Sequence, residues 1–198
     1  MATIVEHEKR KHEILQKALD VFMEEGYEDV TFQKIADRCG ITRTTLYIYF
    51  KNKREIFIWS IKQLTAGLEV KLMEFIQDKN MPVTECLRKM MFLILDECKE
   101  NHKLFSVVLS YLITLQKSGI DPSERVRRRV IRLRHLISLL IIRGNNNKEF
   151  NNISIKDANE LLYGIIEAAI FRIAVLGQSS IDEVYGAIDL AINKLKAN

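Results

Sequence analysis

The chain reads as all-α, with an N-terminal group of three short-to-medium helices followed by a larger set of long ones. Three observations predict this. Apolar residues recur at spacings of three and four through the long segments. No stretch sustains the apolar/polar alternation of a half-buried strand. In addition, 198 residues hold only 2 prolines and 8 glycines, too few breakers to interrupt long helices. With 47% hydrophobic residues there is material for a sizeable core, at a length that suits one domain or a small domain joined to a larger one.

The first helix is expected from Glu8 to Glu25, where Ile14, Ala18, Val21 and Phe22 share one face and Gly26 can end it in a left-handed cap. Thr31 can cap the second helix by accepting from the amides that follow, and Thr42 can cap the third. Between them Ala36 is small where two helices cross, Gly40 permits a left-handed turn, and Ile41 and Leu46 fill the gap. Ile35, Leu46 and Phe50 belong to the core of this group. Asn52 with Glu55 has capping-box spacing and opens a fourth helix, Lys53 to Gln77, shared between both parts of the chain. Further helices follow over Thr84 to Glu100, His102 to Lys117, Ser123 to Arg143, Ile155 to Leu176 and Ile181 to Lys196. Breaks fall at Asn80-Met81-Pro82, Ser118 to Pro122, Asn145 to Asn147 and Gly177 to Ser180. The polar run Asn145 to Asn152 reads as a mobile loop.

The Thr31 to Lys53 pattern is that of a helix-turn-helix, a geometry that offers its second helix to the major groove of DNA. Net charge does not decide the matter, since +4 overall is modest and the acids of the first helix offset the bases that follow. Local asymmetry is more telling: Lys34, Arg38, Arg43, Lys51, Lys53 and Arg54 face only Asp37 between Thr31 and Arg54. Arg43 and Thr44 open the third helix and are placed for base edges, Arg being able to pair two acceptors on guanine. Gln33 could reach a base edge or a phosphate. Thr45, Tyr47, Tyr49 and Lys53 suit phosphates, with core packing as the alternative for the two tyrosines, and Thr31 and Thr42 complete the DNA-binding set at the helix starts.

The run Thr31-Phe32-Gln33-Lys34-Ile35-Ala36, followed by Gly40 to Phe57, closely resembles the signature of the TetR family of bacterial transcriptional regulators. The likeness covers roughly residues 8 to 58; beyond it only the number, order and length of the helices agree. Thr44 stands where relatives commonly carry glycine, alanine or proline, and Cys39 where a small residue is usual. The resemblance implies a helix-turn-helix DNA-binding domain over residues 1–58 and a ligand-binding and dimerisation domain over residues 59–198. It further implies a cytoplasmic homodimer on a palindromic operator and an unidentified small-molecule effector that releases a repressor. An activator or scaffold without an effector is the nearest alternative.

The last two expected helices carry more apolar surface than one layer covers. Ala158, Leu162, Ile165 and Ala169 form a stripe that Leu161, Ala168, Phe171 and Val175 broaden, and Ile181, Val184, Ile188, Ala191 and Leu195 edge the final helix. A four-helix bundle with a second subunit would bury them; internal packing is the other reading. Trp59, Leu64, Leu68, Met90, Met91, Leu95, Leu109, Tyr111, Leu112 and Phe171 are candidates for an effector pocket, or for ordinary core. In Arg125 to His135 the apolar residues Val126, Val130, Leu133, Ile137 and Leu140 form one stripe. Arg125, Arg128, Arg129 and Arg132 are left as a solvated face or a site for an acidic partner. Cys39, Cys86 and Cys98 sit at no metal or redox spacing and read as buried free thiols. The four histidines are scattered, no phosphate loop or metal spacing occurs, and neither a cofactor nor catalysis is expected, leaving an all-helical enzyme as a remote alternative. No run approaches a membrane span.

Overall fold

The computed structural model describes residues 2–178 and 180–196, with side chains for all of these except 2–4 and 124–126. Ser179, expected in a break, and the side chains of Arg125 and Val126, expected on two sides of a helix, lie outside the described residues. Among the described residues the elements are α1 (Ala2–Asp29), α2 (Phe32–Cys39), α3 (Arg43–Tyr49), α4 (Lys53–Gln77), α5 (Val83–Glu100), α6 (His102–Lys117), α7 (Ser123–Asn146), α8 (Ile155–Ala174) and α9 (Asp182–Leu195). A lone antiparallel bridge joins Phe150 and Lys196.

The chain packs as two units, one of residues 1–69 with 107–111 and the other of residues 70–106 with 112–198. The division falls inside α4, which is one unbroken helix whose first half packs with α1. Ser60 Oγ on that half donates to the carbonyl of Leu15 at 2.9 Å.

In the N-terminal unit Ile14, Ala18, Val21 and Phe22 of α1 are buried with Ile35, Ala36, Leu46, Phe50, Ile56 and Phe57 in an apolar core. The first helix breaks at Gly26 as expected, though not in a left-handed helical cap. Gly26 takes φ 81 and ψ 163, outside the left-handed helical well, so the axis kinks and the chain makes one more turn before ending. That turn brings Tyr27 onto Phe57, with ring centroids 5.0 Å apart, and Tyr111 of α6 closes on Tyr27 at 4.4 Å. Burial pushes the Tyr27 hydroxyl up to about 12.

The caps form where the hydroxyl and amide side chains allow. Thr31 Oγ1 accepts from Lys34 N at 3.2 Å, Thr42 Oγ1 accepts from Thr45 N at 3.1 Å, and Asn52 Oδ1 accepts from Glu55 N at 2.9 Å. Glu55 returns its carboxylate to Lys51 N at 2.6 Å, one residue earlier than a strict capping box would place it. Thr42→Ala is expected to cost the N-terminal unit about 1 kcal/mol, read as a lower denaturation midpoint at unchanged slope.

In the C-terminal unit α5 is the central helix, packed against α7, α8 and α9. Cys86, Leu87, Met90, Met91 and Leu95 are all fully buried there, facing Ile137, Leu140 and Ile141 of α7 and Leu162, Ile166, Ile188 and Ile192 of α8 and α9. Most of the residues expected at a dimer interface are covered within the protomer. Ala158, Leu162, Ala169, Val184, Ile188, Ala191 and Leu195 are buried within the protomer's own unit, because α5 and α7 cover that side of the helix pair. Ile165 is half-buried, and Leu161 and Ala168 are exposed. They continue into an outward apolar stripe with Phe171 on α8 and Val175 just past its end, and Leu190 is exposed on α9.

The asparagine-rich segment is more firmly held than expected. α7 runs on to Asn146, and Asn145 donates from Nδ2 to the carbonyl of Ile153 at 2.9 Å while its Oδ1 accepts from Ile153 N at 3.1 Å. Phe150 tucks its ring against Gly144, where a Cβ would overlap it. The three cysteines are buried free thiols. Cys86 Sγ accepts from Arg143 at 2.9 Å, and burial pushes the Cys98 thiol up to about 12.

Candidate nucleic-acid interface

Gly40 ends α2 in the left-handed region, φ 67 and ψ 35, a conformation that costs a residue with Cβ roughly 1–2 kcal/mol. Its amide and that of Ile41 donate to Asp37 O at 3.1 Å and Ala36 O at 3.0 Å, satisfying the last carbonyls of α2 and redirecting the chain into α3 within three residues. Leu46, fully buried, fixes the roll of α3, so Arg43, Thr44, Tyr47 and Ile48 point to solvent on the opposite side. Thr45 and Tyr49 flank this face half-buried.

The exposed groups hold one another. Arg43 Nη2 donates to Tyr47 Oη at 3.1 Å, and the Tyr47 ring stacks on Phe32 of α2 with centroids 4.5 Å apart. Thr42 and Thr45 share a hydroxyl hydrogen bond of 2.8 Å. Gln33 Nε2 donates to Asp37 Oδ1 at 2.7 Å, and both side chains are exposed. His7 stacks on Tyr49 at 4.6 Å, and Lys11 lies 4.8 Å from the centre of the Trp59 ring. This strip of α1 is not among the expected site residues, although positions 7, 11, 14 and 18 fall on one helix face with the core residues Ile14 and Ala18.

The charge balance differs from the one read along the sequence. Arg38 meets both carboxylate oxygens of Glu24, and Lys34 Nζ donates to Glu25 at 2.5 Å. Two of the six expected cations are thus answered by acids of α1 that precede them by 14 and 9 positions. Lys53 is also redirected. Its ammonium donates to the carbonyls of Tyr27 at 2.8 Å and Glu28 at 3.1 Å and lies 4.6 Å from the Tyr27 ring centre. Burial pulls the Lys53 ammonium below its ordinary lysine value, with Glu28 and Asp29 opposing. In this position it fastens the turn after Gly26 to the start of α4. Arg43 and Lys51 keep exposed side chains.

The expected effector residues fall in both units. Trp59, Leu64, Leu68, Leu109 and Tyr111 belong to the N-terminal unit, while Met90, Met91, Leu95, Leu112 and Phe171 belong to the C-terminal one. Trp59 is 40% exposed, with Lys62 Nζ 4.2 Å from its ring centre, so it is a surface residue; Phe171 is 53% exposed. Met90, Met91 and Leu95 are filled core, and Leu64, Leu68, Leu109 and Leu112 are half-buried. Tyr111 is buried against Tyr27 and Phe57, and its hydroxyl has no hydrogen-bond partner among the described residues. On α7, Arg128, Arg132 and His135 are exposed, Arg129 is half-buried, and Arg134 pairs with Glu160 at 2.7 Å.

A family model described as bacterial regulatory proteins, tetR family, matches residues 14–58. YerO, an uncharacterized HTH-type transcriptional regulator of Bacillus subtilis, is 28% identical over 103 residues, which are 51% of this chain and 35% of that protein. The fatty acid metabolism regulator protein of the same bacterium is 34% identical over 67 residues, 34% of either chain. The chain thus spans about a third of the length of these curated relatives. A TetR transcription regulator from Haloarcula marismortui superposes with a TM-score of 0.80 at 22% identity, covering 95% of this chain and 97% of that one. The transcriptional regulator FadR from Bacillus subtilis, in complex with stearoyl-CoA, does so with a TM-score of 0.70 at 20% identity, covering 93% and 97%. At such identities the likeness is one of fold. The family model falls on the same residues whose caps, left-handed turn and outward helix face form the helix-turn-helix, so over residues 14–58 the chain matches the tetR family of bacterial regulatory proteins.

Proposed function

We propose that the chain is a sequence-specific transcriptional regulator that binds a palindromic operator as a homodimer and is released from it, as a repressor, by a small molecule. The outward face of α3 carries this reading: Arg43 and Thr44 stand free of the core at the start of a helix whose roll is fixed by Leu46 and whose entry is fixed by Gly40. Arg43 and Thr44 address base edges, Gln33 a neighbouring edge or phosphate, and Thr31, Thr42, Thr45 and Tyr49 the backbone. Lys53 supports the frame and keeps one N–H for a phosphate. The stripe of Leu161, Ala168, Phe171 and Val175, with Leu190 beside it in sequence order on the last helix, supplies the two-fold contact that a palindrome requires. Among the described residues no helix is long and apolar enough to cross a membrane, which agrees with action in the cytoplasm.

The test is selection of bound sites from randomised duplex DNA by the full chain, followed by titration of the selected duplex at several salt concentrations. A palindromic motif is expected, with log affinity falling against log salt by about 0.9 per phosphate contact. Arg43→Ala is expected to cost about 1–3 kcal/mol at one base position of each half-site and little elsewhere. Binding that is indifferent to sequence and to salt would end the reading. Stearoyl-CoA, which the FadR neighbour binds, is the first effector to titrate; a molecule with equal affinity for free and DNA-bound protein is not an inducer.

A further inference from the structure

We propose that Tyr47 is a positioning residue for Arg43, setting the guanidinium for guanine before DNA arrives, rather than a phosphate ligand. The inference rests on the reading of α3 as the DNA-contacting helix. Residues 43 and 47 are one turn apart and share a face. Three contacts join them into a unit with α2: the hydrogen bond of 3.1 Å from Arg43 Nη2 to Tyr47 Oη, the guanidinium carbon 5.6 Å from the Tyr47 ring centre, and the Tyr47 ring stacked on Phe32 at 4.5 Å and 29°. Phe32 is itself 9% exposed and anchored in the α2 core face, so the stack transmits the position of a rigid helix to an otherwise free arginine.

The remaining donors fit the role. A guanidinium has two parallel N–H pairs, one formed by Nε with Nη2 and one by Nη1 with Nη2, and each Nη2 hydrogen belongs to a different pair. Giving one Nη2 hydrogen to Tyr47 therefore leaves one complete pair, the fork that matches O6 and N7 of guanine. An unheld arginine loses side-chain freedom when it docks; one already held loses less, and the gain goes to the correct base.

The test is a double-mutant cycle on the full-length protein, with binding profiles taken from a randomised duplex library for wild type, Arg43→Ala, Tyr47→Phe and the double variant. Tyr47→Phe keeps the stack and removes the hydrogen bond. It is expected to reduce the preference for guanine roughly threefold to tenfold at the one position that Arg43→Ala erases, to leave other positions unchanged, and to add nothing in the Arg43→Ala background. Uniform weakening across all sequences, no change, or an effect that persists without Arg43 would each overturn the proposal. If Tyr47→Phe does not fold, relaxation of the Arg43 Nε–H in the free wild-type protein decides: an order parameter near 0.85 is that of a held group and supports the proposal, whereas one below about 0.6 overturns it. If the wild type selects no motif at all while the guanidinium is held, the DNA reading has failed and not the local geometry.

Discussion

Ile188→Asp is expected to unfold the C-terminal unit, whereas Leu190→Asp, two residues further along α9, is expected to leave the unit folded and shift the protein to monomers. Ile188 is fully buried among the protomer's own helices and Leu190 is 64% exposed. A carboxylate forced into the first position is taken wholly out of water, and an unpaired buried charge costs several kcal/mol, a large part of the roughly 5–15 kcal/mol that holds a typical domain together. At the second position the carboxylate meets water in the monomer and is buried only if a second subunit covers it. Circular dichroism separates the folded variant from the unfolded one, and sedimentation velocity reports the association state of each. A Leu190→Asp protein that sediments like wild type would remove α9's outer side from the interface.

Phe57→Ala is expected to melt the N-terminal unit, at a cost of about 3–5 kcal/mol, and with it to abolish DNA binding. Phe57 is fully buried and its ring touches Phe22 edge-on at 4.8 Å, Tyr27 at 5.0 Å and Tyr111 at 5.2 Å. Removing it leaves a cavity where four rings converge, between α1 and the first half of α4. Tyr111→Phe offers the contrast: deleting a buried hydroxyl that lacks a partner is expected to be neutral or slightly stabilising. Calorimetry should show the Phe57→Ala transition lowered for the N-terminal unit while the C-terminal transition stays. A single unchanged transition would show that the aromatic cluster is not what holds the N-terminal unit.

The features legible in the sequence were those encoded over a few residues. The caps at Thr31, Thr42 and Asn52, the turn at Gly40 and the limits of α4 and α6 follow from neighbouring side chains and the 3.6 period, and they appear where expected. Which side of a helix faces inward was harder to read. α8 is apolar nearly all round, so its pattern could not say that Leu162 and Ala169 turn to α5 and α7 while Leu161 and Phe171 turn out. Pairings over long separations were not legible either. Nothing near Lys53 in sequence announces the carbonyls of Tyr27 and Glu28, which reach it only because Gly26 bends α1. The same holds for Trp59: a large apolar ring beside a helical stripe suggests burial, and Lys11, which attends it at the surface from α1, is apparent only after folding.

The clasp of Glu24 on Arg38 and Glu25 on Lys34 gives the acids of α1 a second meaning. A phosphate approaching α2 must compete with carboxylates that are already bound and covalently tethered, so these two cations are expected to add less to counterion release than two idle ones would. If both were idle and engaged DNA in each subunit of a dimer, the salt dependence would steepen by roughly 3.6 on a log–log plot, all of it indifferent to sequence. If the chain binds an operator as proposed, the clasp is expected to withhold part of that indiscriminate attraction and so to raise the ratio of operator to background occupancy without adding a contact to the operator itself.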